Sequence, residues 1–204
     1  MGMLSSSVSI TRYAVKGKIK GDLLKTIMGG LKKNTITEID NEQIQKTSGW
    51  TSFGNPYLPD FENTSCIIGT HFVFSLRIDK KNIPSKIIKK HYAHEMAKKL
   101  AESQKEYLSI NEKKALKESV TSSLSLRIPA TPNIYDVLWN YEGSFLWFFS
   151  NQKKANEEFE IIFSKSFNLT LIRLFPYTMA DIALDLTDKE RDLLSTLSPT
   201  KFMG

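Results

Sequence analysis

The chain has 204 residues, of which 41% are hydrophobic, 11% aromatic and 25% charged, as is typical of a globular protein that buries a core. Its apolar runs fall short of the roughly 20 residues of a membrane-spanning helix, and its start lacks the basic region and apolar core of a signal peptide. The single cysteine, Cys66, excludes an internal disulfide and a cysteine zinc cage. We therefore expect a cytoplasmic protein with no membrane partner.

The positive charge is concentrated in one segment. Between Lys80 and Glu118 there are eleven lysines and five glutamates, so this segment alone carries the formal net charge of +6. Such polarisation indicates a polyanionic partner, for example nucleic acid. A lysine-rich solvated face is the alternative interpretation.

The first part of the chain predicts alternating strands and a helix. A strand is expected at residues 8–15, an amphipathic helix at 21–33 and a short strand at 35–39, according to the spacing of their apolar residues. A turn-rich loop is expected around Trp50. The composition of residues 66–77 is that of a strand, which Gly69-Thr70 interrupts.

The basic segment predicts an arm of two antiparallel helices. Pro84 suits the first turn of a helix, and Ser109-Ile110-Asn111-Glu112 reads as a capping box that opens a second helix. Apolar residues recur on one face of each helix, at Ile88, Tyr92, Met96 and Leu100 and at Leu116, Val120 and Leu124. We predict this arm at residues 83–129, inserted into a body formed by residues 1–82 and 130–204. Its end would carry Leu124, Leu126 and Ile128, which favour self-association.

Strands and helices alternate again after the arm. A hairpin is expected at residues 134–150, where the continuous apolar run 145–149 predicts a strand buried on both sides. A helix at 151–165, a strand at 169–175 and a final helix opened by the capping box Thr187–Glu190 should follow. The fold class is therefore α+β, with an antiparallel or mixed sheet, two strand–helix blocks and a projecting two-helix arm.

Catalytic signatures are not found in the sequence. His91 and His94, with Glu95 beside them, could share an ion on a helix, but the sequence names no third ligand. The motifs of nucleotide-binding loops and serine hydrolases do not occur. We predict no catalytic residue, no metal site and no cofactor.

The order of several short motifs resembles the RdgC family, the recombination-associated bacterial proteins. These motifs extend from about Ile10 to Pro176 and comprise Gly49-Trp50, the strand ending at Arg77, Ile83-Pro84-Ser85, Glu112 to Glu118, Leu126-Arg127, Val137-Leu138-Trp139, the Gly143 hairpin and Lys153-Lys154-Ala155. The resemblance implies a ring-forming protein that binds duplex DNA without sequence preference and restrains the RecA recombinase. It also implies that the paired helices form the family's finger, that Arg127 contacts DNA, and that this chain is a short form without the usual C-terminal domain.

From these observations we predict a nucleoid-associated, sequence-nonspecific double-stranded DNA-binding protein that modulates RecA-dependent recombination or replication. It would form a homodimer or a higher homo-oligomer, with RecA as a further partner. Phosphate contacts are assigned to Lys86, Lys90, Lys98, Lys105, Lys113, Lys114, Lys117 and Arg127. The alternatives are a metal-dependent exonuclease and a basic module that docks an acidic protein or an anionic membrane.

Overall fold

A curled antiparallel sheet forms the body of the protein. The computed structural model describes residues 2–62, 65–103 and 106–198, and within these ranges the sheet has seven strands. They are β1 (Thr11–Lys16), β2 (Lys46–Ser52), β3 (Ile67–Ile68), β4 (His71–Lys80), β5 (Thr131–Asn140), β6 (Phe145–Phe148) and β7 (Thr170–Arg173). The strand order is β2-β4-β5-β6-β1-β7, and β3 pairs with the end of β4.

Helices cover one face of the sheet and extend from it. In the described ranges they are α1 (Leu23–Lys33), α2 (Ser85–Ser103), α3 (Ile110–Ser125), α4 (Lys153–Phe167), α5 (Pro176–Leu184) and α6 (Asp188–Thr196). Together with the antiparallel sheet they confirm the predicted α+β class. Across the described residues, none of these helices is long and apolar enough to cross a membrane.

The core lies between the sheet and helices α1 and α4. Helix α4 presents Ala155, Phe159 and Phe163 at helical spacing, and all three are buried. Phe159 stacks on Phe148 of β6 with ring centroids 4.3 Å apart, and Phe163 meets Trp139 of β5 edge to face at 5.1 Å. The apolar stripe of α4 therefore determines which face of the sheet is buried.

The region around Trp50 differs from the sequence prediction. Residues 46–52 form strand β2 rather than a loop, and the expected strand at 35–39 is reduced to an isolated bridge between Thr35 and Trp50. A Cβ on Gly49 would lie 2.4 Å from the backbone nitrogen of Ile36, so glycine permits this close approach. The prediction was wrong because pairing with the distant β4, and not local turn composition, makes this segment a strand.

Two further expectations require correction. Strand β6 is buried on one face only: Leu146 and Phe148 are fully buried, whereas Trp147 is 37% exposed. Its continuous apolar run misled the prediction because α4 covers a single face of the sheet. The strand expected at 169–175 ends at Arg173, and Pro176 starts α5, a helix that was not predicted, where its fixed φ suits the first helical turn.

Candidate nucleic-acid interface

Helices α2 and α3 form the predicted antiparallel arm. Helix α2 follows β4 and α3 leads back into β5, so the base of the arm lies at the end of these paired strands. The capping box is present: Glu112 N donates to Ser109 Oγ at 3.3 Å, and Ser109 N donates to Glu112 Oε2 at 2.8 Å. The end of α2 and the start of α3, with the described residues 106–109 before it, form the free end of the arm.

The depth of burial varies along the seam between the two helices. On α2 the stripe residues Ile88, Tyr92, Met96 and Leu100 are all half-buried, and none of the residues of this fully described helix is completely buried. On α3, Leu116 is half-buried, whereas Val120 and Leu124 are buried. The predicted apolar stripes therefore face each other, and along α3 burial increases towards the end next to the body; Leu108, which precedes α3, is buried as well.

Lys81 fastens the base of the arm. Although it belongs to the basic segment, Lys81 is only 5% exposed. Its ammonium group donates to the carbonyl oxygens of Asp40 at 2.9 Å, Glu42 at 2.7 Å and Ser125 at 2.5 Å. Ser125 is the last residue of α3, whose C-terminus carries partial negative charge. Lys81 is thus a structural cation and does not present its charge to a ligand.

One flank of the arm is basic and is built by both helices. Its lysines border a single groove together with the apolar side chains of Ile88 and Tyr92; they are Lys89, Lys113, Lys114 and Lys117. All four lysines are exposed, and within the described part of the chain they form no ion pair. We call these four residues the basic flank.

The basic flank continues towards the body. Lys114 and Lys117 also line a second groove with Gln45, which lies in the segment before β2. Glu118 is the acidic residue of this groove. A polyanion lying along the flank would therefore reach from the arm to the body surface.

The other predicted contact residues on α2 occupy a different side. Lys86, Lys90 and Lys98 are exposed. At 100° per residue, Lys86 and Lys90 point away from the seam residue Ile88, on the outer side of the helix. The predicted lysines of α2 and α3 are therefore not one continuous surface. Lys105, which was also predicted to contact DNA, lies outside the described residues.

Arg127 lies at the base of the arm and not at its free end. It follows the C-cap of α3 and is exposed, lining with His91 and Glu95 a groove on the opposite flank. The expectation of an apolar arm end at Leu124, Leu126 and Ile128 is wrong, because these residues join α3 to the body and Leu124 is buried. Of the described residues next to the turn, Tyr107 and Ile110 are exposed large apolar side chains, at 77% and 86%, whereas Leu108 between them is buried.

Lys89 was not among the residues that the sequence assigned to the basic surface. It is adjacent to the seam residue Ile88, so a strict division into an apolar face and an opposite basic face leaves it unassigned. A rotation of 100° per residue places it at the edge of the seam, where α3 contributes its own lysines. His91 is half-buried beside the seam, where it lines the groove of the opposite flank.

The buried carboxylates of the body are engaged by protein donors. Asp79 accepts from Arg77 through both oxygens, at 2.7 and 2.6 Å, which raises the pKa of the guanidinium. Asp136 accepts from the Ser75 hydroxyl at 2.8 Å and from Met3 N at 2.7 Å. Over the described ranges, no three His, Cys, Asp or Glu residues are grouped as metal ligands would be.

The fold and this surface define an α+β protein that carries a basic two-helix arm. The sequence model of a family described as "Putative exonuclease, RdgC" matches residues 9–184, which is most of the chain. The chain belongs to the RdgC family, as the order of its motifs indicated. No curated protein matches the chain significantly.

Proposed function

We propose that this member of the recombination-associated RdgC family binds double-stranded DNA without sequence preference, through phosphate contacts of its arm. The observation that carries the proposal is the basic flank, where lysines of two helices converge on one groove without ion-pair partners in the described chain. Lysine acts as a flexible point charge, which suits contact with phosphates and carries no base readout. The outer lysines of α2 and Arg127 would add contacts where the duplex bends around or crosses the arm.

Salt dependence is the first test of this proposal. With about five to eight phosphates neutralised, the logarithm of the binding constant should fall against log salt with a slope of about −4 to −7. Affinity should differ little between duplexes of unrelated sequence. Binding that is indifferent to salt would overturn the proposal and favour a protein partner.

Charge reversal locates the site on the protein. The variant Lys113→Glu/Lys114→Glu/Lys117→Glu should bind every duplex more weakly and with a shallower salt slope, since it removes three charges of the basic flank. Lys86→Glu/Lys90→Glu/Lys98→Glu tests the outer side of α2 in the same way. The matched control is Lys153→Glu/Lys154→Glu/Lys165→Glu, which makes an equal charge change at exposed positions of α4. Equal losses in all three variants would show only a net-charge effect and would refute the arm assignment.

Restraint of RecA and residence on the nucleoid would follow from coating duplex DNA. A strand-exchange reaction measures the first: wild-type protein should slow it, and the basic-flank variant should do so less. The family description also names an exonuclease. Incubation with end-labelled duplex in Mg²⁺ or Mn²⁺ tests that activity, and release of labelled nucleotides that co-purifies with the protein would establish it.

A further inference from the structure

The face of the sheet opposite α1 and α4 is exposed along strands β1 and β6. In their pairing, Arg12 lies opposite Trp147 and Ala14 opposite Phe145, so the four side chains share this face. Arg12 and Trp147 are exposed, and Ala14 and Phe145 are half-buried. We call this part of the sheet, together with Lys16 and His71, the open sheet face.

Aromatic rings form a row on the open sheet face. The ring centroids of Phe145 and Trp147 are 6.2 Å apart with an interplanar angle of 38°, and His71 lies 6.2 Å from Phe145 on the other side. Trp147 is 37% exposed, whereas Trp50 and Trp139 are fully buried in the core. An exposed tryptophan beside further rings offers flat apolar surfaces for a planar ligand.

Cations border the same rings. Arg12 lies directly across the strand pair from Trp147, and Lys16 is exposed at the end of β1. The chain continues with Lys18 and Lys20, which are also exposed. The Arg12 guanidinium donates a hydrogen bond to the sulfur of Met179 at 3.2 Å, an exposed contact with a weak acceptor that a phosphate would replace.

We propose that the open sheet face binds single-stranded nucleic acid, with bases stacked on Trp147 and Phe145 and phosphates held by Arg12 and Lys16. Stacking on aromatic side chains beside basic residues is how proteins hold unpaired bases without reading their sequence. The exposed lysines that follow in the chain, Lys16, Lys18 and Lys20, favour an anionic ligand over a protein partner, because lysine is depleted at protein interfaces. This surface lies on the body and uses none of the arm residues, so it goes beyond the duplex binding proposed above.

Tryptophan fluorescence reports directly on this site. Because Trp50 and Trp139 are buried, iodide should quench mainly the emission of Trp147. Addition of an oligothymidylate should quench the emission of Trp147, because a base stacks on the ring. The emission of Trp147 that remains should then be protected from quenching by iodide. An emission that does not change at oligothymidylate concentrations saturating a labelled-probe assay would overturn the proposal.

Variants separate stacking from charge. Trp147→Ala should weaken oligothymidylate binding about 5- to 150-fold, and Trp147→Phe, which keeps a ring, should retain most of the affinity. Tyr57→Ala is the matched control because it removes an exposed aromatic ring elsewhere on the body. Arg12→Gln/Lys16→Gln removes two phosphate contacts. Because each phosphate of a single strand contributes roughly 0.7 to the salt slope, the slope should become shallower by about 1.4.

The same variants distinguish this proposal from the duplex-binding one. Trp147→Ala should bind duplex DNA as the wild type does, and the basic-flank variant should still show quenching of Trp147 by oligothymidylate. If Trp147→Ala binds oligothymidylate with unchanged affinity, the proposal is wrong. If Trp147→Ala keeps its affinity for oligothymidylate but no longer self-associates in sedimentation, the proposal is likewise wrong and the open sheet face is a protein interface.

Discussion

At the scale of single residues, Lys81 shows that a lysine in a basic run need not be a surface charge. Three main-chain carbonyl groups surround its ammonium group, and they come from two distant parts of the chain. Ala130 N adds a related contact, donating to Asp40 Oδ1 at 2.8 Å. The base of the arm is therefore tied to the segment that precedes β2.

We expect Lys81→Met to lower the free energy of unfolding by about 1–3 kcal/mol, because the buried carbonyl groups would lose their donor. Lys80→Met is the control, since Lys80 is the neighbouring exposed residue. Urea denaturation of both variants measures the difference. Equal denaturation midpoints would show that the anchor contributes nothing to stability.

Tyr13 is a second residue whose chemistry depends on burial. Its hydroxyl lies 2.6 Å from Asn156 Oδ1 and 2.8 Å from Glu160 Oε1, and Arg173 in turn donates to Glu160 at 2.6 Å. Burial first, and then the neighbouring Glu160, raise the pKa of the Tyr13 phenol. The phenol therefore stays protonated in the folded protein at pH values where it ionises in the unfolded chain.

This shift in the pKa of Tyr13 predicts a loss of stability at alkaline pH. The contribution of the Tyr13 phenol to the free energy of unfolding is complete below pH about 10, the pKa of tyrosine in the unfolded chain. It is lost as pH rises above that value, because the unfolded chain then releases the proton while the folded protein keeps it. Tyr13→Phe should reduce this slope and cost about 1 kcal/mol at neutral pH. The measurement is the free energy of unfolding in urea from neutral to alkaline pH. Tyr107→Phe, at an exposed position, should keep the wild-type slope; a Tyr13→Phe variant that also kept it would contradict this assignment.

At the scale of elements, the arm is held by a seam whose burial varies along its length. Leu124 is buried next to the body, Leu100 is half-buried further out, and Ile110 is exposed at the start of α3. Because truncating a side chain costs more stability when that side chain is more deeply buried, substitutions at these positions should differ in a fixed order.

Leu124→Ala should destabilise the protein by about 2–5 kcal/mol, Leu100→Ala by about 1 kcal/mol, and Ile110→Ala by less than about 0.5 kcal/mol. Hydrogen exchange of arm amides and thermal unfolding would measure the gradient. A larger effect at Leu100 than at Leu124 would mean that the seam is dry along its whole length.

At the scale of the whole molecule, the homodimer stays a prediction. The structure changes which residues we expect to form the contact between its two copies. The apolar residues expected to mediate it lie at the base of the arm, whereas Tyr107 and Ile110 are the exposed apolar residues near the free end. Exposed apolar side chains at the end of a projecting element favour pairing of two copies about a two-fold axis.

Sedimentation equilibrium should therefore show a dimer at high micromolar concentration, and Tyr107→Ser/Ile110→Ser should weaken it. Tyr57→Ser/Leu58→Ser is the matched control, because it removes exposed apolar side chains from a loop of the body. A monomer over the whole range of concentrations would refute the dimer. Equal weakening by both double variants would refute contact through the arm's free end.

Local patterns in the sequence determined the elements that depend on neighbouring residues. The capping boxes at Ser109 and Thr187 correctly marked the starts of α3 and α6, because they satisfy backbone groups within one turn of the helix. The four-residue apolar spacing predicted the two helices of the arm for the same reason. Motif order was sufficient to indicate the family, which the match over residues 9–184 confirms.

The tertiary structure alone decided which faces these elements expose. Trp50 is part of a strand because β2 pairs with β4, which places it opposite Leu76. The pairing of β1 with β6, which is also long-range, places Arg12 opposite Trp147. Lys81 became buried, and Lys89 joined the lysines of α3, only when the two helices packed on each other and on the body. How deeply a residue is buried, and which residues of distant segments meet, depends on contacts between parts of the chain that lie far apart in sequence, and spacing within one segment does not specify those contacts.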